Sequence, residues 1–365
     1  MKILLITDLY PVKNDEKNTP RTLLNFVNEW QKLGHQVKII KPNFILNSFI
    51  RKKPFYKTGW YEDIFNVNYW LPFMGNVKNK LKKFYEKDFQ PDIVIAHMPS
   101  GILLADKLNL PFTAGVHCSD MTVLTKPLYR YYFKPRLLKA LNNARKIACR
   151  SFVLKEKLAK LYPDFLQKTF VAPSGIDEKY IVETPNLIDT KHLKVVTCAQ
   201  LIKRKNIDKI IKGLKNIKPE NLTIIGDGKE KNYLEKLAKE VNYPVIFLGR
   251  LPHEEVFEVM KNSDIFVLPS ENETFGMVYL EAMASGCITI GVERDGIDGI
   301  IKHGYNGFTL IKPEAIYIEA IFTVIKNLEN ETLNKIQNNS ITTAVEYTQK
   351  HCSQMYLREI VNNLK

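Results

Sequence analysis

MKILLITDLYPVKNDEKNTPRTLLNFVNEWQKLGHQVKII, residues 1–40, decides the architecture. An apolar strand (Lys2 to Thr7) enters a polar loop (Asp8 to Pro20). A helix with a periodic apolar face follows (Arg21 to Leu33), Gly34 stops it, and a second strand (Gln36 to Ile40) closes the unit. A strand, a helix and a strand in this spacing form a β-α-β crossover, which builds parallel sheet. The same pattern recurs with strands at Asp92 to His97, Phe112 to Val116, Lys146 to Cys149 and Thr169 to Val171. Continuous apolar strands of this kind need helices on both faces of the sheet.

A second series begins at Leu193 to Ala199 and continues at Leu222 to Ile225, Val245 to Leu248, Ile265 to Leu268 and Ile288 to Ile290. Helical stretches separate them at Ile207 to Lys215, Glu230 to Val241, His253 to Asn262 and Met277 to Ser285. The fold class expected is therefore α/β, with two doubly wound, Rossmann-like domains facing a cleft. Residues 1–176 form the first domain, the polar segment 177–192 a linker, and 193–345 the second domain. A C-terminal helix (346–365) could pack back on the first. Ligands of such folds lie beyond the carboxyl ends of the strands.

The 365 residues carry a net charge of +14. That charge is uneven, with 29 basic against 13 acidic residues in 1–175 and 24 against 26 in 176–365. An anionic partner for the first half follows, solubility alone being the plainer account. No run approaches the roughly 18 apolar residues of a membrane span, and the amino terminus shows no cleavable signal pattern. Cys118, Cys149, Cys198, Cys287 and Cys352 are scattered and odd in number, which argues against a disulfide framework or a zinc site and fits a reducing cytoplasm.

The densest chemistry is Ser270 to Gly286, SENETFGMVYLEAMASG, directly after a strand. Glu273 and Glu281 lie eight positions apart, with Phe275, Gly276 and Met277 opening the helix that carries the second carboxylate. Free backbone N–H groups at a helix start suit a phosphate, and glycine lets a ligand approach the main chain. For a bare pair of glutamates, a dipole-complementing acid plus an unrelated surface acid is the simpler reading.

The flanking residues change that. ENETFGMVYLEAMASGCITI resembles the signature of the retaining group 1 glycosyltransferases (family 4, GT-B fold), with Thr274 in place of a glycine. Further blocks similar to the family's occur in its order: VAPSGID (171–177), IIGDGKEKNYLEKL (224–237), VIFLGRLPHEEVFEVMKNSDIFVLPS (245–270) and GIDGIIKHGYNGF (296–308). The resemblance implies that Glu281 takes the ribose and Glu273 the transferred sugar, while the amides of Phe275, Gly276 and Met277 hold sugar and diphosphate. It makes Lys205 the diphosphate lysine. Gln200 stands where many members carry arginine, so Arg204 is the candidate replacement. Gly226 would shape the site floor, and Arg250 and Leu251 would meet the base.

In the first half GVHCSDMT (115–122) resembles the family's strand-end histidine block, which makes His117 a catalytic candidate and Asp120 an acceptor contact. His97, after its own strand, is a further acceptor candidate, equally open to a structural role. The first loop lacks the family's glycines, Thr19 being the nearest small residue.

The resemblance implies a retaining transferase that moves a hexose or N-acetylhexosamine from a nucleotide diphosphate sugar, a UDP-sugar by preference. The acceptor is a saccharide or lipid-linked molecule in surface polysaccharide or glycolipid synthesis. It implies no cofactor and no metal, the nucleotide-sugar being a substrate. The alternatives are a nucleotide-sugar 2-epimerase, a sugar phosphorylase, or a non-catalytic polyanion binder. Aromatics interleaved with cations in 44–85 and in KPLYRYYFKPRLLK (126–139) suit an anionic membrane surface, and no RNA-binding signature occurs. The expected location is cytoplasmic, peripheral at the inner face of the cell membrane, with no nucleic-acid partner.

Overall fold

The computed structural model describes residues 1–11, 21–44, 59–61, 63–69, 81, 84–273 and 275–362. The chain divides into two compact units. The first comprises Met1–Arg150, Leu154–Pro173 and Gln349–Lys365; the second comprises Ser151–Val153 and Ser174–Thr348.

The first unit is built on a sheet whose eight described strands are β1 (Lys2–Ile6), β2 (Gln36–Phe44), β3 (Gly59–Tyr61), β4 (Ile64–Tyr69), β5 (Ile93–His97), β6 (Thr113–Val116), β7 (Lys146–Cys149) and β8 (Thr169–Val171). Their order is β3-β4-β2-β1-β5-β6-β7-β8. All pairings are parallel except β3 with β4, an antiparallel edge hairpin inside the stretch read from composition alone. Strand β1 is wholly apolar and buried from Ile3 to Ile6, as a strand covered on both faces must be. Strand order reverses beside it, so the loops after β1, β5 and β6 open at one edge of the sheet.

Residues 349–361 form a helix that belongs to this first unit. It packs on the helix Thr22–Lys32, where the Trp30 indole N–H donates to the Ser353 carbonyl at 3.1 Å. Phe26, Trp30 and Tyr356 form one buried aromatic cluster with centroids 5.4–5.8 Å apart. Each such pair contributes about 0.5–1.5 kcal/mol beyond burial.

The second unit carries an all-parallel sheet of β9 (Lys194–Cys198), β10 (Asn221–Ile225), β11 (Val245–Gly249), β12 (Ile265–Val267), β13 (Ile288–Val292) and β14 (Phe308–Leu310). Its order is β11-β10-β9-β12-β13-β14. Residues 177–192, read as a linker, lie within this unit and are packed on it. Tyr180 stacks on Phe257 at 3.8 Å, the Val182 N–H donates to the Ala284 carbonyl, and Ile188 is buried. The two parallel-sheet α/β units realise the fold class expected from sequence. No helix among the described residues is long and apolar enough to cross a membrane.

Candidate active site

In the second unit β9 and β12 are neighbours, with Val195 opposite Ile265 and Val196 opposite Phe266. Their following loops therefore leave the sheet side by side, and strand order reverses between them. The first loop forms a short turn, Lys203–Lys205, which ends at Asn206 in the left-handed region (φ 52°). Asn206 tolerates that conformation and ties the two loops together, its side-chain N–H donating to the Pro269 carbonyl at 2.9 Å. The second loop carries Ser270 and Glu273.

These loops bring three predicted or adjacent groups onto one atom. Glu273 Oε1 accepts from Lys205 Nζ, from Arg204 Nη1 at 3.1 Å and from Ser270 Oγ at 2.7 Å. Lys205 is buried, and Arg204 is also anchored by the Glu271 carbonyl at 3.1 Å. Burial opposes charge on Glu273, but the hydrogen bonds from Lys205 and Ser270 and the two cations outweigh it and hold the carboxyl below its ordinary range. On the other side of the loop Asp295 Oδ1 accepts from the Glu273 and Gly296 backbone N–H groups at 2.6 and 2.7 Å. Gly296 is required there, because a Cβ would stand 2.7 Å from Glu273 Cβ and 3.0 Å from the Phe275 backbone nitrogen.

Phe275 is buried, and Gly276 caps the helix Met277–Ala284 in the left-handed region (φ 75°). A side chain there would be strained, and it would strike the Tyr279 ring at 2.5 Å. Glu281 rides on this helix, two-thirds of the way along. Its Oε1 pairs with His253 Nε2 at 3.1 Å, a partner not anticipated from the sequence. That hydrogen bond, against the opposing effect of burial and with help from the Glu281 and Glu254 charges, raises the His253 pKa; Lys179 opposes it. Cys198, at the end of β9, feels both sides of the site. Burial and then Glu281 push its thiol up to about 12, while Lys205 pulls it down.

The loop after β10 completes the floor. Gly226 (φ 130°) approaches so closely that a methyl would lie 1.9 Å from the Ala199 carbonyl oxygen, and its N–H donates to the Gly249 carbonyl at 2.7 Å. Arg250 is exposed and Leu251 half-buried after β11, and Gln200 is exposed. Thr274 and Thr19 lie outside the described residues.

In the first unit His97 ends β5 and His117 directly follows β6, and their rings meet with His97 Nδ1 and His117 Nε2 at 2.9 Å. Gly115 makes room for this, since a Cβ would sit 2.1 Å from His97 Nδ1. His97 is fully buried, and its Nε2 pairs with the Tyr356 hydroxyl at 2.9 Å. With both nitrogens engaged inside the unit, it is placed as a support for His117 and reaches no surface.

Burial first, then the Arg150 charge, lowers the His117 pKa to about 3; burial, His117 and Arg150 lower that of His97 as well. A neutral, half-buried His117 can orient a ligand through a hydrogen bond and is a weak base near neutrality. Asp120 is buried and accepts from the His117 backbone N–H at 2.7 Å. Burial, aided by the Asp8 charge, pushes its carboxyl up to about 8 against that bond. Ser270, His253, Asp295, Arg150, Gly115 and Tyr356 were not singled out as site residues in the sequence. His253 had a local signal, as a polar residue opening a helix after a strand-end loop. Tyr356 had none.

Comparison with known proteins bears on both units. A family model described as "Glycosyl transferases group 1" matches residues 182–343, and one described as "Glycosyltransferase Family 4" matches residues 19–180. An uncharacterized glycosyltransferase, MJ1178, of Methanocaldococcus jannaschii is 28% identical over 237 residues, 64% of this chain and just under two thirds (63%) of that protein. The putative teichuronic acid biosynthesis glycosyltransferase TuaC of Bacillus subtilis is 26% identical over 92% of this chain and 91% of its own. Alpha-monoglucosyldiacylglycerol synthase of Acholeplasma laidlawii is 26% identical over 94% of each. Among solved structures, Anabaena Alr3699/HepE in complex with UDP superposes with a TM-score of 0.70 at 17% identity, over 99% of this chain and 100% of that one. At that identity the likeness is one of fold.

Proposed function

The chain belongs to the group 1 glycosyltransferases of the GT-B fold, and from that premise we propose a retaining enzyme that transfers a hexose or N-acetylhexosamine from a UDP-sugar to a saccharide or lipid-linked acceptor. The observation that carries the reading is the convergence of Lys205, Arg204 and Ser270 on Glu273, beside the helix that bears Glu281. Two cations flanking a carboxylate at a helix start are suited to a diphosphate joined to a polyhydroxylated group. In this proposal the diphosphate takes the cations, the amides at Phe275, Gly276 and Met277 assist, Glu273 turns to the sugar hydroxyls, and Glu281 accepts from the ribose.

The bond between the anomeric carbon and the diphosphate oxygen breaks. The acceptor oxygen bonds to that carbon on the same face, and its proton passes to the departing diphosphate. Lys205 and Arg204 act by stabilising charge that grows on the leaving group, which lowers the barrier because it is stronger in the transition state than in the ground state. His117, neutral and fixed, suits a hydrogen bond to the sugar. Asp120, as buried as His97 and bonded to the His117 backbone N–H, is assigned to holding that turn in place of an acceptor contact.

The preference for uridine is supported by the UDP and UDP-glucose complexes of HepE. The lipid or polysaccharide acceptor is supported by the names of the Acholeplasma and Bacillus relatives. We assign the first unit to an anionic membrane surface. Leu128 and Tyr131 are 85% and 86% exposed, amid Lys126, Arg130, Lys134, Arg136 and Lys139. Of the aromatics in 44–85, Trp60 packs against Phe65 and Phe84; Lys52, Lys53, Lys82 and Lys83 lie outside the described residues.

A thermal-shift panel of nucleotide-sugars tests the donor, since a ligand at one hundred times its Kd stabilises by about 2.7 kcal/mol. No shift with any of them would overturn the reading. Product anomeric configuration by NMR tests retention. Flotation with anionic against neutral vesicles tests the surface, equal recovery refuting it.

A further inference from the structure

His253 is tied to Glu281 and, though its side chain is 55% exposed, packs against two aromatic rings. Its ring meets Tyr180 edge-on at 5.3 Å and Phe257 edge-on at 5.0 Å, and those two rings stack on each other at 3.8 Å. The Tyr180 hydroxyl donates to Glu254 Oε1 at 3.2 Å, and Lys179 lies over the Tyr180 ring. The segment containing Tyr180, the start of the helix His253–Lys261 and the helix Met277–Ala284 thus meet at one imidazole. Glu281 Oε2 has no side-chain partner among the described residues. A glutamate has three rotatable bonds to immobilise when it receives a ligand, and that cost is smaller when one oxygen is already held.

We propose that His253 is a positioning residue for ribose recognition: it holds Oε1 of Glu281 on an aromatic shelf, so that Oε2 meets the ribose hydroxyls in a fixed orientation. This rests on the assignment of Glu281 to the ribose and adds the residue that makes that contact selective. It also gives the selectivity a pH dependence. The charged groups facing His253 are Glu281, Glu254 and Lys179, with the Tyr180 hydroxyl beside them, and the two carboxylates favour the imidazolium. On the acid side of the raised His253 pKa the bond to Glu281 is charge-assisted, and as pH rises through that value the assistance is lost.

The test is the affinity ratio of a nucleoside diphosphate to its 2′-deoxy counterpart, measured by calorimetry for uridine and guanosine pairs. Within each pair diphosphate ionisation and long-range attraction are common and cancel. H253A should lower the ratio about two- to fivefold, the range for a half-exposed ionic hydrogen bond. H253Q carries an amide N–H near the position of Nε2, so it should keep the ratio while abolishing its fall with pH.

A wild-type ratio in H253A, or an unchanged pH profile in H253Q, overturns the proposal. E281Q separates the two levels. If it leaves the ratio unchanged, the ribose assignment itself is wrong; if it collapses the ratio while H253A does not, only the role of His253 fails.

Discussion

Replacing Glu273 by glutamine should tighten the hold on a free nucleoside diphosphate while slowing transfer. Without ligand, the Glu273 carboxylate pairs with Lys205 and Arg204, the cations that the proposed diphosphate site would use. A ligand that takes them has to displace a negative charge and then remain near it. Two unit charges 4 Å apart interact by about 4 kcal/mol at an effective dielectric of 20, and by about half that at twice the distance. The Glu273 side chain is 15% exposed and that of Lys205 11%, so water screens the pair only in part. Halving the repulsion again for that screening leaves about 1 kcal/mol, with about 2 kcal/mol as the ceiling. The Kd for UDP should then fall about fivefold, up to about thirtyfold.

Glutamine keeps an acceptor for Ser270 and Lys205, so the loop should stay in place. Calorimetric titration with UDP, pyrophosphate and uridine separates the effects. UDP and pyrophosphate should both tighten, and uridine should not. Turnover should drop, because the sugar loses a charged hydrogen-bond partner. Unchanged or weaker binding of both UDP and pyrophosphate would refute the argument that Glu273 competes for the cations.

The Asp120 carboxyl, pushed up to about 8, keeps its proton in the folded chain where the unfolded chain, with an ordinary value near 3.8, has lost it. The resulting stability is full below about pH 4 and is lost as pH rises through 8, with a slope of up to about 1.4 kcal/mol per pH unit between them. D120N should therefore gain on the wild type steadily across that window in urea titrations, and a constant difference would contradict a neutral Asp120. Arg204, anchored beside Glu273, should be costly to lose if it supplies the charge missing at Gln200, so R204A should cut turnover. If Q200R raises turnover while R204A is silent, that compensation is wrong. G115A should destabilise the first unit by about 1–3 kcal/mol through collision with the His97 ring, and the cost should shrink in an H97A background.

Which parts of this molecule could be read from its sequence follows from how locally each is specified. Ile3 to Ile6 and Ile93 to Ala96 are fully buried parallel strands, and a continuous apolar run between turn residues announces them. The hairpin of Gly59–Tyr61 and Ile64–Tyr69 escaped notice because it lies at a sheet edge and places Asn66 and Asn68 within the strand. Phe308–Leu310 is three residues long and has no room for a period. The strand-loop-helix setting of Lys205, Glu273 and Glu281 was legible because it lies around each of them in the chain, while the roles proposed for the two glutamates came from the resemblance of the flanking residues to a family signature. The His253–Glu281 and His97–Tyr356 contacts span 28 and 259 residues, and only the folded sheet and the packed helices bring such partners together.

The helix Gln349–Val361 has a consequence for synthesis on the ribosome. It supplies Ser353 to Trp30 and Tyr356 to His97, so the first unit contains partners that are translated far apart. About 175 residues of the second unit are made between Pro173 and Gln349. At roughly 5–20 residues per second this is a wait of about 9–35 s. Through that interval the cluster of Phe26 and Trp30 lacks its covering helix, while the second unit becomes complete at Thr348. The nascent chain should therefore finish its later half first, and a chaperone that shields aromatic surface would find its target in the earlier one.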